Sequence, residues 1–182
     1  CLIAKGQRQK VKKIREEDYV PSEPFEQLNV DFWGPLNPVT APANFQYLFV
    51  AVDDASRYLW VVPCARKSDS YEAMTGILQE ISTRDRCYEG QKIVRRVRSD
   101  NAGELKGKTW KNTLKFFEVE AQHSTPYMPQ QNGVVERMMR TMGDSLRAIL
   151  SGVDKRVWDH AATYLAYTWS RAPKANYARL PW

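Results

Sequence analysis

Leu28-Asn29-Val30-Asp31-Phe32-Trp33-Gly34-Pro35 sets apolar Leu28, Val30 and Phe32 in alternation with Asn29, Asp31 and Trp33, then stops at Gly34-Pro35. A period of two sends successive side chains to opposite faces, so the segment reads as a strand that Asp31 ends. Downstream, Tyr47 to Val52 is a continuous apolar run. Asp53-Asp54-Ala55-Ser56 then supplies turn chemistry, and Tyr58 to Val62 is a second apolar run, so the two runs read as a hairpin. After Ser68-Asp69-Ser70 the period changes. Tyr71, Met74, Ile77, Leu78 and Ile81 recur at helical steps. Lys92 to Ser99 reads as a further strand, although Arg95, Arg96 and Arg98 make it polar for a central one. Thr109 to Phe117 reads as a short helix, Val119 to His123 as a short strand, and Ser124 to Gln130, with Pro126 and Pro129, as a loop. Asn132 to Leu150 carries the strongest helical pattern, with Val135, Met139, Met142, Leu146 and Ile149 on one face. Val157, Trp158, Ala161, Ala162, Leu165 and Trp169 mark a last helix, stopped by Pro173. Strands with interspersed helices, then two long helices, make an α/β domain with helices on a mixed sheet.

Composition bounds the rest. With 182 residues, 43% hydrophobic and 12% aromatic, the chain can pack one sizeable core. No apolar run approaches the ~20 residues of a bilayer-spanning helix, and no signal peptide opens the chain, so a soluble, intracellular protein without a membrane partner is expected. The net charge of +6 and pI near 9.2 favour a polyanionic partner. That excess sits in Lys5, Arg8, Lys10, Lys12, Lys13 and Arg15, however, and residues 16–182 sum to zero. Any case for nucleic acid must therefore rest on local patches. Residues 1–24, basic, then acidic, then punctuated by Pro21 and Pro24, read as a linker; 25–172 as the domain; and 173–182 as a truncated extension. Cys1, Cys64 and Cys87, with only His123 and His160 beside them, offer neither a disulfide framework nor zinc-ligand spacing, so no zinc site is expected.

Three carboxylates stand out by position. Asp31 ends the first strand, Asp100 ends the polar strand, and Glu136 sits one turn into the strongest helix. Strand ends and a helix start can converge on one edge of a sheet. Three acids there repel one another unless divalent cations intervene, and an all-oxygen donor set favours Mg2+ or Mn2+. Two such ions roughly 3.5–4 Å apart activate an attacking oxygen and stabilise the leaving one at a phosphodiester.

Asp100-Asn101-Ala102-Gly103-Glu104, followed by Pro129-Gln130-Gln131-Asn132-Gly133-Val134-Val135-Glu136-Arg137, resembles the DDE integrase core of copia-type LTR retrotransposons. The 35 residues between Asp100 and Glu136 match the family spacing. Asn29 to Pro35 resembles the segment bearing the family's first catalytic Asp, and Asp53 to Trp60 the hairpin after it. The resemblance implies a ribonuclease-H-like fold with a five-stranded mixed sheet flanked by helices. It also implies polynucleotidyl transfer in which Asp31, Asp100 and Glu136 hold two metal ions while a DNA 3′-hydroxyl or water attacks. It further implies DNA as partner, retroelement ends and target alike, action in the nucleus, and a homo-oligomer. Ala102 stands where the family usually has glycine, and Cys1 looks like the last ligand of a zinc module otherwise missing.

Helical steps place Asn132, Glu136, Arg140 and Arg147 along a stripe bordering the apolar face, a sensible rail for a phosphate backbone. Gln131 and Arg137 beside it, and Lys106 and Lys108 in a second basic stretch flanking Asp100, complete the expected DNA contacts. Singly, Asp31 and Asp100 read as turn residues and Glu136 as an exposed partner of Arg140. Their order and spacing together favour catalysis. His123 reads as simply hydrogen-bonded, Asp53 and Asp54 as turn residues, Trp158 and Trp169 as core, and Cys64 and Cys87 as inert thiols. The rival functions are a ribonuclease-H-like nuclease that hydrolyses without joining, and an inactive or domesticated DNA-binding fragment.

Overall fold

The hairpin predicted from two apolar runs is β2 (Tyr47–Asp53) and β3 (Leu59–Cys64), with β1 (Gln27–Trp33) antiparallel on its other side. The computed structural model describes residues 21, 23–84, 94–124 and 132–172. The readings for residues 1–20 and 22, Cys87, Lys92, most of the 124–130 loop, Gln131 and 173–182 lie outside them. Two short strands, β4 (Arg96–Ser99) and β5 (Glu120–His123), continue the sheet in parallel with β1, giving the order β3-β2-β1-β4-β5. The helices are α1 (Ser70–Arg84), α2 (Lys108–Phe116), α3 (Gly133–Ile149) and α4 (Trp158–Arg171). This is the mixed five-stranded sheet flanked by helices that the family resemblance implies.

Alternation on the strands builds a core on each face. Leu28, Val30 and Phe32 of β1 join Phe49 and Ala51 of β2, Met74, Ile77 and Leu78 of α1, and Trp110 and Leu114 of α2. Leu48, Val50 and Val52 point the other way, into a cluster with Val135, Met138, Met142 and Leu146 of α3 and Trp158, Ala161 and Ala162 of α4. Trp33 packs against this second cluster, as does the half-buried Trp169, so both predicted core tryptophans of α4 are core. Each fully buried aliphatic side chain contributes about 1.5–3 kcal/mol, so both layers are needed to hold the sheet.

One detail corrects the sequence reading and another bears it out. On α3, Met138 is buried while Ile149, its last residue, is 41% exposed. The polar segment is a strand, as predicted, because its arginines find partners. Arg96 pairs with Glu120 at 2.9 Å, and the Arg98 guanidinium donates twice to Gln122 Oε1, both across the neighbouring β5, while Arg95 just ahead of the strand pairs with Glu26. Gly34, at φ +132, is required: a Cβ there would lie 2.6 Å from the Gln46 carbonyl oxygen.

Candidate active site

Gln27, Asn29, Asp31 and Trp33 occupy the face of β1 that α3 covers, since Trp33 packs into the α3–α4 core while its neighbours Leu28, Val30 and Phe32 enter the other. Asp31 lies inside β1, not at its end, opposite Val50. Parallel pairing sets Asn29 against Arg98 and Val30 against Ser99. One step further along the same register brings Asp31 abreast of Asp100, the first residue after β4.

Local hydrogen bonds hold both aspartates. Asp31 Oδ1 accepts the Phe32 N–H at 2.7 Å, and Asp100 Oδ1 accepts the Ala102 N–H at 3.0 Å, the turn chemistry an aspartate favours. Asn101 Nδ2 donates to the Ser124 carbonyl at 2.6 Å, tying that turn to the end of β5. His123 is hydrogen-bonded, as its strand-end position suggests, with Nδ1 3.0 Å from Ser99 Oγ. Glu136 is exposed in the first turn of α3, and among the described residues it forms no ion pair with Arg140.

Electrostatics link the three acids. Burial is the main cause that pushes the Asp31 carboxyl up from 3.8 to about 6. The Phe32 N–H opposes this, the negative charges of Asp100 and then Glu136 add to it, and the Lys67 ammonium opposes it again. The acids are thus near enough to feel one another. Among the described residues, however, no three Asp, Glu, His or Cys side chains stand gathered tightly enough to hold a metal ion. The donor set still suits a hard divalent cation: carboxylate oxygens only, and an Asp31 whose ionised form is destabilised by burial and by two neighbouring acids.

The expected DNA contacts divide. Arg137, Arg140 and Arg147 are exposed on α3, with the Arg137 guanidinium close over Gly133 and Arg147 paired to Asp144. Lys108 is exposed at the start of α2, and Lys106 is half-buried before it. Asn132, predicted on a stripe bordering the apolar face, is buried. It is 3% exposed and stands at the N-cap of α3, and among the described residues it makes no capping bond and neither polar atom of its carboxamide has a partner. Asp53 and Asp54 are turn residues, as expected. Asp53, wholly buried, accepts from the Phe25 and Ser56 N–H groups and the Ser56 hydroxyl, and Asp54 pairs with Arg57. Cys64 is a buried thiol that desolvation pushes up to about 11, which makes it inert.

Lys67 is the residue that sequence reasoning missed. It lies in the one-turn helix Lys67–Asp69 between β3 and α1 and pairs with Glu104 at 3.0 Å. A single lysine in a polar turn carries no periodic or motif signal, and only the tertiary structure reveals its effect on Asp31.

Comparison with known proteins adds an independent line. The family model described as "Integrase core domain" matches residues 21–129. The chain is 29% identical over 150 residues to the retrovirus-related Pol polyprotein from transposon TNT 1-94 of Nicotiana tabacum, covering 81% of this chain and 11% of that protein. It is 26% identical over 181 residues to the corresponding polyprotein from transposon RE1 of Arabidopsis thaliana, covering 95% of this chain and 11% of that protein. Thus it spans only about a tenth of these curated relatives. Among solved structures, the catalytic core domain of BIV integrase superposes with a TM-score of 0.58 at 20% identity, over 86% of this chain and 91% of that one. A chain of the simian T-cell lymphotropic virus intasome, solved in complex with the PP2A regulatory subunit B56 gamma, gives 0.68 at 14% identity, over 86% and 52%.

Proposed function

The chain belongs to the integrase core domain family, and from that premise we propose that it is the catalytic core of a copia-type retroelement integrase, which cleaves and joins DNA strands with divalent cations. The observation that carries this reading is Asp31: a carboxyl partly buried beside Asp100, raised by its desolvation and by the charges of Asp100 and Glu136. Such a group is poorly stabilised when ionised alone and gains most from a bound cation. Asp31, Asp100 and Glu136 would hold Mg2+ or Mn2+, two ions in all. When bound, these would activate the attacking oxygen and neutralise charge on the leaving one.

The rest of the work falls to the chain. The Phe32 and Ala102 amides fix one oxygen of Asp31 and of Asp100, leaving the other oxygen of each for a ligand. Arg137, Arg140 and Arg147, exposed on α3 with Glu136, would receive DNA phosphates as it approaches, joined by Lys106 and Lys108. Retroelement ends and target DNA are the substrates, the nucleus the place of action and a homo-oligomer the working form in this reading.

The test is an oligonucleotide strand-transfer assay in Mn2+ or Mg2+. Cleavage and joining are expected, each lost by at least about a hundredfold in Asp31→Asn, Asp100→Asn and Glu136→Gln, with folding intact by circular dichroism. Cleavage without joining would assign the chain to the nuclease reading. Full activity in any one of the three variants would remove the site.

A further inference from the structure

We infer that Lys67 is a phosphate-contacting residue of this site, held at its rim by Glu104 so that its ammonium takes a phosphodiester oxygen of the DNA strand. The inference rests on the DNA-joining reading above and deepens it.

The geometry is built from two short turns. Lys67 opens the one-turn helix Lys67–Asp69, and Glu104 lies in the similar turn Gly103–Leu105 that follows Asp100. The turns are joined twice, by the 3.0 Å ion pair and by the Ser70 hydroxyl, which reaches the Glu104 carbonyl at 3.5 Å. Asp69 braces the first turn by accepting the Arg66 N–H at 2.9 Å. Beneath the ammonium, 6.0 Å away, lies the Tyr47 ring. That ring meets Phe32 edge-on at 6.3 Å, and the Phe32 amide is the one bonded to Asp31. Lys67 is therefore fixed at the same end of the sheet as the acids. Its charge acts on Asp31 and responds to Asp100.

The chemistry then selects a ligand. The side chains of Lys67 and Glu104 are 43% and 21% exposed, and an ion pair open to water in this way adds little to folding. An ammonium has three donors and Glu104 occupies one, which leaves two for an incoming acceptor. A phosphodiester approaching three carboxylates meets like charge on every side, and a lysine at the rim offsets that repulsion as a point charge. Glu104 tethers the long side chain to the turn that follows Asp100.

The experiment measures binding of a fluorescent DNA duplex to this chain by anisotropy over a potassium chloride series, with manganese fixed. Lys67→Met should weaken binding about tenfold at low salt and reduce the slope of log K against log salt by about 0.9. Lys67→Arg should restore both. Glu104→Gln should weaken binding by less than Lys67→Met does and keep the wild-type slope, because the lysine remains but is no longer held. The double variant K67M/E104Q has the wild-type net charge yet should keep the reduced slope, because a direct contact is lost and overall charge is not. All four should melt within a few degrees of the parent. A wild-type slope in Lys67→Met, or its recovery in the double variant, overturns the inference while leaving the DNA-joining reading intact, provided that the parent chain binds and cleaves. A parent chain that neither binds nor cleaves DNA overturns both.

Discussion

Ionising Asp31 costs the cation-free fold free energy, because burial strips water from the carboxylate and Asp100 and Glu136 add like charge. An acid whose pKa is raised on folding binds its proton more tightly in the folded state. Between the ordinary 3.8 and about 6 the folded chain therefore holds more protons than the unfolded one, and stability falls as pH rises through that window. The loss is on the order of 2 kcal/mol once solvent screening is allowed for. Urea denaturation in EDTA, from about pH 4 to about pH 7, should show this decline in the wild type and a flatter profile in Asp31→Asn, which should be the more stable protein at neutral pH. Parallel profiles for the two would contradict it. The sequence marks Asp31 as a candidate by its place in a strand. The raised carboxyl is invisible there, since it depends on burial within the fold and on Asp100 and Glu136, both distant in the chain.

At the scale of elements, α3 matters because it carries Glu136 and must lie close to β1. Gly143 permits that approach: a Cβ there would sit 3.4 Å from the Cη2 and Cζ2 atoms of Trp33. A glycine inside a helix costs roughly 1 kcal/mol relative to alanine, and the close packing against an indole offsets it. Gly143→Leu should force the helix away from the sheet and lose about 1–3 kcal/mol of stability. Because Glu136 is two turns upstream on the same rigid rod, DNA cleavage should fall further than the folded fraction does. Unfolding curves and activity, both measured where the variant remains folded, check this. Normal cleavage in a destabilised variant would show that the position of α3 is not set at Gly143. The helix itself is legible from its apolar spacing, but its buried stripe is not fully so. Met138, outside the pattern, is buried, while Ile149, the last residue of the helix, is exposed.

Over the whole molecule, one sheet serves two cores. Leu28 and Leu48, both wholly buried, lie on opposite faces of it. Since strands β1 and β2 contribute to both layers, neither layer can unfold and leave the other intact. Leu28→Ala and Leu48→Ala should each cost about 2–5 kcal/mol, and each should shift a single transition monitored by tryptophan fluorescence and by circular dichroism. Two separated transitions, with only one moved by each substitution, would show that the faces unfold independently.

The elements, their order and the α/β class follow from the sequence alone, because periods of two and of 3.6 are local properties of consecutive residues. The order and spacing of Asp31, Asp100 and Glu136 are equally local and point to the family. Only the tertiary structure decided that Asp31 stands abreast of Asp100, that the β4 arginines find Glu120 and Gln122 on the next strand, that Asn132 is buried and that Lys67 reaches Glu104. Each of these joins residues distant in the chain, and such meetings are set by strand register and packing, which no local pattern records.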